Sequence, residues 1–200
     1  MKYSKLSNKS FTATMKHLLL MAFAILTIGC GEKKSDGVNE NELEAREGVA
    51  YLKNSDSPYT GKVFEFHDNG QKKLEAGYKD GKYDGPAVSW HENGQKDSEG
   101  NNKDGKLYGP AVVWYGNGQK KAEANYKDGK VHGPAVAWYE NGQKLQVAEF
   151  KDGKLVTIKV WLPDGSDCPD TNVQDGNGIR VFYDEDGEEI SRDEFKDGTR

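Results

Sequence analysis

Two hundred residues allow one domain or a domain with a tail, and 34% hydrophobic residues, 24 glycines and a mean hydropathy of -0.89 exclude a thick, compact core. The net charge of -5 is unevenly spread: residues 1–30 carry four basic and no acidic residues, 31–61 four and seven, 62–154 fifteen and fourteen, and 155–200 five and twelve. No stretch gathers Lys and Arg as phosphate binding requires, which excludes nucleic acid as a partner.

The first element in chain order is "MKHLLLMAFAILTIGC", Met15 to Cys30. A cationic start (Lys16, His17), an apolar run from Leu18 to Ile28 and small Gly29 give it the anatomy of a secretory signal; the run is too short for an ordinary transmembrane helix. Met15 alone opens a signal of ordinary proportions, so it is the expected translational start, and residues 1–29 are the expected signal peptide. The stretch Leu26-Thr27-Ile28-Gly29-Cys30 resembles the lipobox of bacterial lipoproteins. That resemblance implies cleavage before Cys30, lipid on its thiol and a folded part held outside the cytoplasm, at the outer membrane of a two-membrane cell because Gly31 follows the cysteine. Plain secretion is the competing reading. With Cys30 lipidated, Cys168 is a free thiol for which no redox or metal role is expected.

From Gly31 to Glu47 the chain is polar, acidic and free of aromatic residues. Together with Cys30 it is expected to form a flexible tether, residues 30–47, in which "NELEARE" makes a helical turn or two at most.

Repetition begins after residue 47. Asn-Gly pairs start at Asn69, Asn93, Asn117 and Asn141, and "KDGK" starts at Lys79, Lys103, Lys127 and Lys151, every step being 24 residues. A strict period of this length means stacked supersecondary units. The regular repeats span 48–154. Residues 155–200 hold degenerate units: one from Lys159 through "WLPDGS", an acidic loop at 163–178, and "GIRVFYDEDGEEISRDEFKDG". Asn-Gly and Asp-Gly both suit the two-residue type I′ turn, in which both central residues need positive φ. One strand fits between successive turns, so the expected chain path is an antiparallel meander with two strands per repeat.

Alternation along the strands puts Val88 with Trp90, Val112 with Trp114, Val136 with Trp138, and Phe64 with Phe66. This apolar set is expected to be inward, joined by the apolar positions of the return strands, including Tyr78 and Tyr126. Lys73, Glu75 and Lys79, and Lys121, Glu123 and Lys127, form the expected solvated set. "GP" at Gly85, Gly109 and Gly133 marks one bend per repeat, which curls the sheet toward an inner trough. At about 10 Å per repeat the body is elongated.

"GPAVVWYGNGQKKAEANYKDGKVHG" and "SPYTGKVFEFHDNGQKK" resemble the variant MORN repeat, over about Val49 to Gly198 and most strongly from Tyr59 to Lys154. The resemblance implies an all-β, elongated, curled antiparallel β-meander of 24-residue two-stranded MORN-type repeats, a single-sheet, solenoid-like scaffold without catalysis. One group of such proteins is labelled YwqK-like antitoxins. "SEGNNK" at Ser98–Lys103 and the insertion "LPDGSDCPDTNVQDGNG" depart from the pattern, interrupting the inner surface and the sheet.

No Ser/His/Asp set, catalytic carboxylate pair or Cys/His cluster stands out, so neither an enzyme nor a cofactor or metal is expected. His67 and His91 take the places of Tyr115 and Tyr139 in later units. The acidic residues from Asp164 to Gly178 lack the alternation and closing Glu of an EF-hand. The expected function is a non-catalytic envelope lipoprotein that binds protein through its repeats. Its possible binding face is Phe64, Phe66, Trp90, Trp114, Trp138, Tyr78 and Tyr126. The alternative is an antitoxin or immunity protein whose acidic C-terminal region meets a basic toxin.

Overall fold

The computed structural model describes residues 37–200 apart from Pro169 and Glu185; the signal segment, Cys30 and the start of the tether lie outside the described residues. Fifteen strands make up nearly all the regular structure: β1 Gly37–Asn39, β2 Leu43–Arg46, β3 Val49–Leu52, β4 Gly61–Phe66, β5 Lys72–Lys79, β6 Lys82–Trp90, β7 Lys96–Lys103, β8 Lys106–Leu107, β9 Gly109–Trp114, β10 Lys120–Lys127, β11 Lys130–Trp138, β12 Lys144–Lys151, β13 Lys154–Val160, β14 Gly178–Tyr183 and β15 Glu189–Phe195. A long, open sheet runs β1-β4-β5-β6-β7-β9-β10-β11-β12-β13, with β8 also on β7; β2–β3 and β14–β15 are separate hairpins. Every pairing is antiparallel except β1 with β4. The all-β single-sheet meander of two-stranded repeats is therefore the fold.

Part of the expected tether is ordered. Val38 pairs with Val63 through β1, and Asn39 and Glu42 close a capping box around the 3-10 turn Glu40–Glu42. Glu42 Oε1 accepts from Asn39 N at 2.8 Å and Asn39 Oδ1 from Asn41 N at 3.0 Å. "LEAR" continues as a strand against β3. Backbone pairing to an existing sheet edge supplies the order that the polar side chains lack.

The two kinds of turn differ. Asp80, Asp104, Asp128 and Asp152 sit at φ of 50–51° ahead of glycines at 75–85°, as a type I′ turn requires. The asparagines keep negative φ, and only Gly70, Gly94, Gly118 and Gly142 are left-handed. Gly70 N donates to His67 O and His67 N to Gln71 O, both at 2.9 Å, closing a three-residue loop with a bulge, and this pattern recurs at Asn93, Asn117 and Asn141. The expected type I′ form is thus corrected for Asn-Gly. Asn69 Oδ1 accepts from Gln71 N at 2.9 Å, so the side chain closes the turn without positive φ. The expected bends are present: Gly85, Gly109 and Gly133 have φ of 94°, 75° and 87°, and the ladders slip beside them between Ala76 and Tyr78 and between Ala124 and Tyr126.

The register overturns the assignment of faces. Glu75 stands opposite Phe64 and Val88, Glu99 opposite Val88 and Val112, and Glu123 opposite Val112 and Val136. The glutamates therefore share the tryptophan face. On the other face, Val63, Ala76, Ala87, Gly100, Ala111, Ala124, Ala135, Ala148 and Ile158 face one another strand by strand. Tyr78 and Tyr126 alternate onto this alanine face, away from the tryptophans.

Among the described residues full burial is confined to the ends of the sheet. Tyr59, Val63, Phe64 and Ala76 are buried at the start, and Ala148, Leu155, Ile158, Val160, Cys168 and Val173 form a cluster at the finish, with Phe150, Tyr183 and Phe195 against it. Between them both faces are half-buried, as one layer of strands dictates.

Each repeat holds the next through the phrase that follows its first strand. Asn69, Asn93, Asn117 and Asn141 donate Nδ2 to the carbonyls of Glu92, Gly116, Glu140 and Pro163 at 2.9, 2.6, 3.1 and 3.1 Å. Gln71 lies over Gly94, Gln95 over Gly118, Gln119 over Gly142 and Gln143 over Gly165, where a Cβ would collide with or crowd the amide. Lys72, Lys96, Lys120 and Lys144 reach Trp90, Trp114, Trp138 and Trp161. The opposite edge is tied by Gly81, Gly105, Gly129 and Gly153, each donating its N–H to the previous repeat at 2.8–3.0 Å.

Candidate binding surfaces

On the tryptophan face, aromatic and charged groups satisfy one another. Lys72 Nζ lies 5.1 Å from the Phe64 ring, 5.4 Å from that of Trp90 and 2.6 Å from Glu75 Oε2. Lys96 is 5.6 Å from Trp114 and 2.5 Å from Glu99, and Lys120 is 5.8 Å from Trp138 and 2.6 Å from Glu123. Hydrogen bonds from Lys72 and Lys62 hold the Glu75 carboxyl below its ordinary value. Trp90, Trp114 and Trp138 are half-buried, Phe64 is buried beside β1, and Phe66 is half exposed. Each exposed ion pair is worth only about 0.2–1 kcal/mol and each cation–π contact about 0.5–1 kcal/mol, so the ladder matters through repetition.

The alanine face is different in kind. Its central row is methyl groups and one glycine, and the neighbouring row is Leu74, Ser89, Ser98, Val113, Ala122 and Ala137. At the last two strands the chain covers this face itself. Ala148 and Ile158 are 2% and 7% exposed, whereas Lys159 on the tryptophan face is exposed. Cys168, Val173, Tyr183 and Phe195 supply the cover, and Arg180 Nη2 donates to Gln146 Oε1 at 2.6 Å. From Ala87 to Ala135 the strip remains half-exposed. Tyr78 is half-buried at the strip's near end, its ring 6.3 Å from Tyr59 and 4.4 Å from Tyr83; burial raises its hydroxyl pKa. The seven residues expected to form one binding face are thus divided between two.

The histidines act as the tyrosines do. His67 and His91 place Nε2 at 2.7 and 3.1 Å from the carbonyls of Trp90 and Trp114, and Tyr115 and Tyr139 donate to Trp138 O and Trp161 O at 2.8 and 2.9 Å. The acidic loop uses its side chains in turns: Asp164 Oδ1 accepts from Ser166 N at 2.8 Å, and Asn172 Oδ1 from Ile179 N at 2.9 Å. Among the described residues no three His, Cys, Asp or Glu side chains gather as metal ligands do. Cys168 is buried, with its thiol 3.4 Å from the Tyr183 hydroxyl.

Residue-by-residue reading missed Trp161, which ends the tryptophan row, and the lysine ladder. Their signal was present in the lysine that closes every "NGQK" phrase. It also missed the alanine strip, since small side chains carry little hydrophobic signal one at a time.

These features define an open, single-sheet β-repeat protein with two unlike faces. The model of the family described as MORN repeat variant matches residues 59–80, 107–128 and 131–152, so the chain is similar to that family at three repeats. Between the first two matches lies the repeat containing Ser98–Lys103, where Asn102 stands in place of Tyr78 or Tyr126, yet the sheet continues through β7. Comparison with curated proteins gives no match.

Proposed function

We propose that the chain is a non-catalytic repeat scaffold that binds a protein partner on its alanine face, held at a bacterial envelope membrane by lipid on Cys30. The observation that carries this reading is the uncovered strip from Ala87 to Ala135, continuous with the part of the same face that Tyr183, Phe195 and Val173 already occupy. The chain's own terminal segment illustrates what the face accepts: a polypeptide carrying apolar side chains, close to the backbone because the floor is small. The tryptophan face supports binding less well, because its ring and carboxylate groups already have lysine partners.

Crosslinking and pull-down from intact cells tests it. Ala111→Glu with Ala135→Glu should abolish partner capture while circular dichroism stays native, and Trp114→Ala with Trp138→Ala should retain it; the opposite pattern would move the site to the tryptophan face. Cys30→Ala should release the protein from the membrane fraction, and unchanged partition would refute the anchor. The acidic excess of residues 155–200 supports a narrower reading, neutralisation of a basic toxin as an antitoxin or immunity protein. In that case a neighbouring gene product would be lethal unless this chain were co-expressed.

A further inference from the structure

The asparagines that strap one repeat to the next are all followed by glycine, the residue that least hinders its own amide nitrogen. In such a pair the glycine nitrogen can attack the Asn Cγ, expelling ammonia and closing a five-membered succinimide. Water then opens the ring at either carbonyl to leave aspartate or isoaspartate. No co-reactant beyond water is needed.

The fold engages all three atoms that this reaction must move. Asn117 Oδ1 accepts from Gln119 N at 2.9 Å, and Asn117 Nδ2 donates to Glu140 O in the next repeat at 3.1 Å. Gly118 N, the attacking atom, donates to Tyr115 O at 2.9 Å. The same three bonds are made around Asn69, Asn93 and Asn141. Rotation of the side chain toward its glycine breaks the bond to the following repeat.

We infer that Asn69, Asn93, Asn117 and Asn141 are latent deamidation sites, one per repeat interface, whose reaction is coupled to the opening of that interface. The product does not restore what was lost. Aspartate can still accept from the backbone two residues on, but it has no hydrogen for the next repeat's carbonyl and sets a carboxylate against it. Isoaspartate adds a carbon to the turn and displaces the paired strands. A deamidated interface therefore records an earlier opening. The unit after Asn141 already carries Asp164 at this place, where the carboxylate accepts from Ser166 N and its hydroxyl, both within its own turn.

The test uses the full chain, incubated at mildly alkaline pH either folded or in guanidinium, with deamidated and isoaspartyl peptides counted by mass spectrometry. All four asparagines should react at least about tenfold more slowly in the folded chain, since reaction waits on local opening. Equal rates in the two states would overturn the coupling. Asn117→Asp, with Asn117→Ser as an uncharged control, measures the consequence. It should lower the melting temperature and speed amide exchange at Gly142 in the following turn; a variant as stable and as protected as the parent would overturn the loss of the strap.

Discussion

Gly118 and Gly70 occupy the same place in the third and first phrases and differ in what lies above them. Both are left-handed, at φ of 85° and 80°; a Cβ on Gly118 would stand 2.7 Å from Gln95 Oε1, whereas one on Gly70 meets nothing within 4 Å. Gly70→Ala should therefore cost only the left-handed penalty, about 1 kcal/mol, and Gly118→Ala measurably more. Denaturant unfolding checks this, and Gln95→Ala should recover the excess in the Gly118→Ala background alone. Glu75 makes a pH-dependent contribution whose sign is set by its partners. Lys72, then Lys62, hold its carboxyl below 4.5, so the stabilisation is present above that pH and is lost as the pH falls through the depressed folded-state value. Glu75→Gln should cost about 0.5–1 kcal/mol at neutral pH and nothing measurable in strong acid. Equal costs at both would assign the effect to packing.

At the scale of strands and turns, the type I′ geometry at Asp128, with φ of 51°, predicts that Asp128→Asn is close to neutral and Asp128→Val costs about 1–2 kcal/mol, read from the shift in the unfolding midpoint. The period, the strand pairs and the bends were legible in the sequence because Asn-Gly, Asp-Gly and Gly-Pro have distinctive backbone chemistry. The faces were misread because apolar positions were grouped by character. The two-residue turn at Asp80-Gly81 sets Lys79 opposite Lys82, and the slip beyond Tyr78 preserves parity, so Glu75 must share a face with Val88 and Ala76 with Ala87. Turn arithmetic would have separated Tyr78 from Trp90. What the sequence withheld was the Asn-Gly turn type, since a side-chain bond to Gln71 N removes the need for positive φ at Asn69, and the order of residues 37–46, which comes from pairing of β1 with β4 and of β2 with β3.

At the scale of the whole sheet, full burial lies at the two ends and the middle is a single layer, so its stability rests on what each repeat does for the next. Asn, Gln and Lys of one phrase each reach the following repeat, an arrangement in which energies add between nearest neighbours. Removing one whole period should therefore leave a chain whose remaining phrases find equivalent partners. Deleting residues 107–130 joins Lys106 to Val131 and offers Asn93, Gln95 and Lys96 the carbonyl of Glu140, Gly142 and Trp138 in place of their present partners. Removing about half a period offers them none. The deciding measurement is thermal unfolding of these two deletions followed by circular dichroism, with amide exchange at the Asn-Gly turns. Strand signal, a cooperative transition and turn protection retained only by the 24-residue deletion are the predicted result; loss of folding in both deletions alike would contradict nearest-neighbour coupling through the phrase.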